Sequence, residues 1–288
     1  MAIEIFNRYE KKYMMDECVY AKLAGRLSDY MELDKSNLSQ ETYPICNIYY
    51  DTPDSHLIRT SLQKPAYKEK LRLRSYGTPS GDSKVFVEIK KKFNKSVNKR
   101  RSALPHNEAY RFLASGVFPR DLDGANVQVL NEVAYILEQH DLGPQVFLAY
   151  ERRAYLGTGE HDLRVSFDTN IITRRDDLLL ESGIYGDRLL PEGKWVMEIK
   201  TAESIPLWLC HLLSEYEVYP MSFSKYGTEY MRSLSGLAGW IPDRVRNDGE
   251  MSSRNDSVVD CWNDGEVDCR AEPVLCPDTV LSMTELAS

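Results

Sequence analysis

Six stretches of this chain alternate so that charged side chains gather on one face of a strand. In KLRLRSY (70–76), Lys70, Arg72 and Arg74 alternate with Leu71 and Leu73. Side chains alternate across a strand, so the three cations share one face and the leucines the other. Near the N-terminus, Arg8, Glu10 and Lys12 align. In KVFVEIKKK (84–92), Glu88, Lys90 and Lys92 align opposite Val87 and Ile89. In QVFLAYERRAY (145–155), Arg152 aligns with Tyr150 and Leu148. In DLRVSFDT (162–169), Arg164, Ser166 and Asp168 oppose Leu163, Val165 and Phe167. In KWVMEIKT (194–201), Glu198 and Lys200 oppose Met197 and Ile199.

A solvated sheet face explains any one of these strands. Six together, rich in arginine and with several cations for each carboxylate, point to chemistry. Guanidinium forks match phosphate oxygens in pairs, and lysine serves as a compact point charge. Carboxylates among such cations can hold Mg²⁺ or Mn²⁺, which bridge phosphate oxygens. If the sheet closes, this face becomes an interior that only a polyanion and a metal could make tolerable. The pattern therefore predicts a phosphate-chain site with a divalent metal. Phosphoryl transfer needs positioning and charge neutralisation more than a covalent catalyst, so no catalytic histidine is required. His161 and His211 are expected in a turn and on a helix, away from the site.

The elements that must position these residues can be read in order. Strands are expected at 3–13, 45–52, 67–76, 84–92, 145–155 and 162–169, with TPSGD (78–82) turning a hairpin. Segments 178–181 and 194–201 predict a further hairpin. Asp16 is placed to cap a helix over 17–31, with Val19, Leu23 and Leu27 as its apolar stripe. Helices are also expected after Pro105, over 126–140 with Val129, Val133 and Ile136 or Leu137 inward, from Ser204 and Pro206 through Tyr216, and from Ser224 to about 234. Trp208, Leu209, Leu212 and Leu213 read as helix core. Tyr49, Tyr50 and Asp51 read as packing at a strand end. The run 90–101 holds seven cations and no acid. It is either a solvated loop after a hairpin strand or a tunnel mouth, with Lys99 and Arg101 its leading contributors. Antiparallel hairpins interleaved with helices give an α+β class, an antiparallel β-barrel with helices packed outside.

The 288 residues carry a net charge of −8. Residues 240–288 hold eleven acids against four arginines, so residues 1–239 are close to neutral. The division is thus a domain over 1–239 and an acidic tail over 240–288, low in aromatics and expected to be disordered. A near-neutral body has no global attraction to nucleic acid or membranes, so any anion site depends on local arrangement. No apolar run is long enough for a transmembrane helix, and the N-terminus lacks a signal peptide, which predicts a cytoplasmic protein. The six cysteines include no CxxC pair and are expected as free thiols; Cys261, Cys269 and Cys276 are too loosely spaced for a metal set.

The ordered set RYEKKY (8–13), IYYDTPD (48–54), KLRLRSYG (70–77), VFVEIKKK (85–92), VNKRR (97–101), YERRAY (150–155), LRVSFDT (163–169), VMEIKT (196–201) and SKYG (224–227) resembles the VTC (vacuolar transporter chaperone) domain of the triphosphate tunnel metalloenzymes. The resemblance spans about residues 3–236. It implies a triphosphate tunnel fold and an ATP-dependent polyphosphate polymerase that moves the γ-phosphate of ATP onto inorganic polyphosphate and releases ADP, with Mn²⁺ or Mg²⁺. By motif, Lys12 would sit near the transferring phosphate. Arg72, Arg74 and Lys90 would clamp nucleotide phosphates, Arg152 and Arg164 would hold the chain, and Ser224 and Lys225 would close the set. Glu198 would be the metal ligand with Lys200 beside it, and Glu10 and Glu88 would be further metal candidates. Lys70 is placed at the rim. Yeast-type members add an SPX domain and transmembrane helices, neither seen in this sequence, so a stand-alone member or a fragment is expected. Alternatives in kind are a metal-dependent triphosphatase and a non-catalytic polyphosphate or nucleotide sensor.

Overall fold

The computed structural model describes residues 9–236 apart from 38–40, 82, 95, 121, 123, 159–162 and 203. Arg8, His161 and the 240–288 tail with its three cysteines lie outside the described residues. The strands are β1 (Tyr9–Asp16), β2 (Met31–Leu33), β3 (Tyr43–Asp51), β4 (Tyr67–Tyr76), β5 (Lys84–Phe93), β6 (Ser96–Pro105), β7 (Gly143–Gly157), β8 (Arg164–Arg174), β9 (Asp187–Arg188), β10 (Lys194–Thr201) and β11 (Pro220–Met221). The helices are α1 (Glu17–Leu27), α2 (His56–Leu62), α3 (His106–Ser115), α4 (Val127–Gln139), α5 (Leu207–Glu215) and α6 (Lys225–Ser235). One antiparallel sheet runs β11-β1-β10-β8-β7-β3-β4-β5-β6, with β2 on β7 and β9 on β8.

Alternation decides the layers, as the sequence implies. Leu71, Leu73, Val85, Val87 and Ile89 point outward and bury against α3 and α4. Tyr13, Met15, Val165, Phe167, Met197 and Ile199 point outward under α1 and α5. The opposite, concave face carries the charges. It is not charged throughout. Ile45, Leu148 and Val196 share that face and pack with Ile58 of α2 and with Phe223, Tyr226 and Tyr230 at α6. Four helices therefore pack outside, while α2 and α6 cover part of the inside, which strand periodicity gives no means of foreseeing.

Asp51 ties these two inner helices to the sheet. Its carboxylate accepts from the Leu57 and Ile58 amides at the start of α2, at 2.8 and 2.9 Å, and from the Tyr226 hydroxyl at 2.9 Å. Gly227 permits the close approach, since a Cβ there would stand 3.2 Å from Leu62. Asp51 is thus a buried helix anchor, and α2 itself has no apolar stripe long enough to announce it.

Several expectations need correction. The cationic run 90–101 is a hairpin, β5 into β6, because β6 pairs fully with β5 from Ser96 to Pro105. Residues 178–181 form no strand; β10 pairs instead with β1 and β8, and β9 takes a short edge of β8. The 175–186 segment is held by Arg174, whose guanidinium donates to the carbonyls of Asp177, Leu179, Gly183 and Tyr185 at 2.9–3.0 Å. Helix α1 stops at Leu27 and the chain turns into β2. Asp16 stands at the start of α1 but makes no side-chain cap there; its carboxylate pairs with Lys194. Cys18, Cys46 and Cys210 are free thiols. No ladder joins β6 to β1 or β11 among the described residues, so the sheet is rolled but not closed by backbone hydrogen bonds.

Candidate active site in a cation-lined lumen

Pairing register fixes which charges meet. Directly opposed residues share a face, so the inner rows read Leu156, Arg164, Lys200 and Glu10, then Ala154, Ser166, Glu198 and Lys12. A third row joins Tyr43, Arg152, Asp168 and Val196. Across the lumen run Tyr49, Arg72, Glu88 and Arg101. The sheet's two ends approach through side chains: Glu10 on β1 stands 3.3 Å from Lys12 and 3.9 Å from Lys90 of β5.

Three charge clusters result. In the first, Glu198 pairs with Lys200, and Lys12 donates to the Phe223 carbonyl at 3.0 Å. Burial opposes the charge on Lys12, but Glu198 and Glu10 outweigh it and raise the amine. Burial likewise works against the Glu198 carboxylate, yet Lys200, Lys12 and Arg152 hold it well below the usual range.

In the second cluster Glu88, 1% exposed, is the hub. Arg72 donates to Glu88 Oε2 from Nε at 2.8 Å and lies 2.6 Å away through Nη2. Arg74 Nε lies 3.7 Å from the same oxygen, and Lys99 Nζ lies 3.1 Å from Oε1. Burial alone would raise the Glu88 carboxyl; Arg72, Arg74 and Lys99 hold it at about 2. Arg74 also donates to Asn47 Oδ1 at 2.9 Å and to the Tyr150 hydroxyl at 3.3 Å.

In the third cluster Asp168, fully buried, accepts from Arg152 Nε at 2.6 Å and Nη2 at 2.8 Å, and from Lys225 Nζ at 2.5 Å. Tyr150 links this cluster to the second. Arg152 and Lys225 lie 5.2 and 4.6 Å from its ring centroid. Burial would raise the Tyr150 phenol, but Arg152 and Arg74 outweigh it and lower it. Tyr49 does the same beside Arg72, whose Nη1 donates to its hydroxyl at 3.2 Å.

The structure therefore brings Lys12, Arg72, Arg74, Lys90, Arg152, Lys200, Lys225, Glu10, Glu88 and Glu198 to one lumen. Arg164 shares the face, but its guanidinium reaches Asp34 at 3.1 Å. Ser224 Oγ accepts from the Gly227 amide at 3.2 Å and so caps α6, which delivers Lys225. Lys99 and Arg101 point inward from β6, the latter 4.7 Å from the Phe86 ring centroid. His211 sits exposed on α5. Sequence reasoning missed Asp168 as an anchor, although its alternation with Arg164 and Ser166 put it on the right face. It also missed Asn47 and Tyr49 of β3, where Tyr49 reads as packing, and Tyr150 of β7, although alternation put it on the face of Arg152.

The carboxylates differ in what they could hold. Both oxygens of Glu88 face cations, Arg72 at Oε2 and Lys99 at Oε1. Burial and the nearby Glu198 oppose the Glu10 carboxylate, but Lys12, Lys90 and Lys200 outweigh them and lower it. Among the described residues no three carboxylate, histidine or cysteine side chains converge. A pair of carboxylates completed by phosphate oxygens and water is a set that Mg²⁺ or Mn²⁺ accepts.

Two lumen amines are poised near neutrality. Burial, helped by Arg72 and Arg74, pushes Lys99 down to about 7 against the pull of Glu88. Burial pushes Lys70 down to about 8, with Lys90, Lys12 and Lys68 adding to the effect. A phosphate placed beside them raises both, so binding takes up protons. Affinity for tripolyphosphate is expected to fall as pH rises through 7 to 8. Calorimetry in buffers of different ionisation heat checks this; proton release at pH about 7.5 would contradict it.

An antiparallel α+β sheet rolled around such a lumen is a triphosphate tunnel. The chain belongs to the VTC domain family, whose model matches residues 7–234. No curated protein sequence matches the chain. Similar solved structures include a candidate adenylate cyclase of Bacillus halodurans, at 15% identity over 76% of this chain and 95% of that one, with a TM-score of 0.46. Another from Vibrio parahaemolyticus, also a candidate adenylate cyclase, has 12% identity over 77% and 97% and a TM-score of 0.40. The Mimivirus capping enzyme triphosphatase has 9% identity over 73% and 88%, with a TM-score of 0.32. No helix among the described residues is long and apolar enough to cross a membrane.

Proposed function

We propose that this protein is an ATP-dependent polyphosphate polymerase. One observation carries the reading: cations outnumber carboxylates in the lumen, and the carboxylates are themselves engaged by cations. A surplus of inward cations favours a polyanion in place. Arg72 and Arg74, held by Glu88, Asn47 and the two tyrosines, would clamp the ATP phosphates. Arg152 and Lys225, held by Asp168, would present the chain. Lys12 and Lys90, 3.3 and 3.9 Å from Glu10, would add their charge to the transferring phosphate. A terminal oxygen of the chain attacks the γ-phosphorus, a new P–O–P bond forms, and the bond to the β–γ bridging oxygen breaks with its electron pair leaving on ADP. The acceptor oxygen is already ionised, so no general base is needed. Glu198 with Glu10 would hold Mn²⁺ or Mg²⁺, which supplies charge neutralisation on the phosphates.

The pure protein is expected to convert ATP with Mn²⁺ into long chains and ADP, resolved on a gel, and Arg74→Ala should abolish the chains while the protein stays folded. Free phosphate without chains would replace this reading with a triphosphatase. Bound but intact ATP would leave a sensor.

A further inference from the structure

The two faces of the β4–β5–β6 hairpins are balanced differently. On the outer face, Lys91 lies 3.1 Å from Glu132, and Arg100 pairs with the same carboxylate. On the inner face Lys68 stands directly opposite Lys92, and Lys70 opposite Lys90, which in turn opposes Lys99. Like charges directly across a ladder destabilise it. One row deeper, the Arg72–Glu88 pair restores balance. Lys68, Lys70 and Lys92 have no carboxylate in ion-pair range among the described residues. Among the described residues Lys68 donates to the Ser61 carbonyl, at 3.1 Å, and Lys70 lies 5.9 Å from the Tyr226 ring centroid. Burial lowers the Lys68 amine, with Lys92, Lys64 and Lys90 adding to it. Uncompensated charge thus grows from the arginine clamp toward the β5–β6 hairpin tip, where Tyr67, Phe93 and Val97 are exposed.

We propose that Lys68 and Lys92, continuing from Lys70, form a subsite for the non-reacting stretch of a linear polyphosphate, which leaves the lumen over the end of β4 and β5. This rests on the reading of the lumen as a polyphosphate site. Inner rows lie about 7 Å apart along a strand, so each added row meets a further short run of phosphates. A long, densely charged chain meets every row, whereas a triphosphate held at the clamp does not. Charge repeated along an extended line also selects against compact anions.

The test compares tripolyphosphate with long-chain polyphosphate by calorimetry on the full chain, wild type against Lys68→Ala/Lys92→Ala and Lys68→Arg/Lys92→Arg. Wild type should bind the long chain more tightly. The alanine pair should lose about tenfold on the long chain and less than about twofold on tripolyphosphate, and the slope of log affinity against log salt should shrink by about one to two. The arginine pair should keep the wild-type value. An unchanged long-chain affinity in the alanine pair overturns the subsite and leaves the lumen reading standing. A wild type that binds neither anion overturns both. Single-stranded DNA bound as tightly, with the same loss in the alanine pair, overturns the assignment to polyphosphate.

Discussion

Asp168→Asn is expected to reduce chain synthesis by about a hundredfold and to lower unfolding stability by about 3 kcal/mol. Asp168 is fully buried and balances both Arg152 and Lys225. Asparagine keeps the shape but leaves two buried cations with no counter-charge. Burial opposes the Asp168 carboxylate, yet Arg152 and Lys225 hold it at about 2. Against an ordinary aspartate near 3.9, that difference corresponds to about 3 kcal/mol of linked stability. Because the folded value is depressed, this stability is fully present above about pH 4 and is lost as pH falls through about 2. The asparagine variant should lack that acid limb in urea unfolding measured against pH. Tripolyphosphate should also raise its Tm more than it raises that of the wild type, since the ligand replaces the missing charge. Wild-type synthesis in the variant would remove Asp168 from the positioning of Arg152 and Lys225.

Glu198→Gln is expected to lower Mn²⁺-dependent synthesis by about a thousandfold. It should leave metal-free tripolyphosphate affinity equal or higher, because one inward negative charge is gone. Glu198 is held ionised well below the usual range by Lys200, Lys12 and Arg152 against burial, so it does not set any acid limb near neutral pH. The separating measurement is a Mn²⁺ titration of the residual activity. A carboxylate that holds metal requires more Mn²⁺ once it is lost. An unchanged Mn²⁺ requirement would make Glu198 only the counter-charge of Lys200 and Lys12.

Much of the wall was legible because period two is a local property. Leu71 and Leu73 outward and Arg72 and Arg74 inward follow from the pleat alone, and the β-class and the main helices follow from similar local patterns. What was not legible depended on long-range pairing. Lys99 and Arg101 sit in a run of charges that reads equally as a solvated loop or a tunnel mouth, and only the pairing of β6 with β5 turns them inward. Asn47 and Tyr150 act through Arg74, which lies far from both in sequence. Glu88 read as a metal candidate by motif, but three cations from β4 and β6 converge on it. The expected 178–181 hairpin failed because Arg174 gathers that segment's carbonyls into a loop.

The free edge of the sheet adds a consequence of its own. Among the described residues β6 ends the ladder, and an unpaired strand edge can template association with another chain. Lys99, Arg100 and Arg101 lie side by side on that edge. A second copy approaching edge to edge would bring the same three cations against them. Lys99 and Arg101 belong to the lumen wall and Arg100 to the outer face, so a ladder formed edge to edge between two copies would set like charges against one another on both faces.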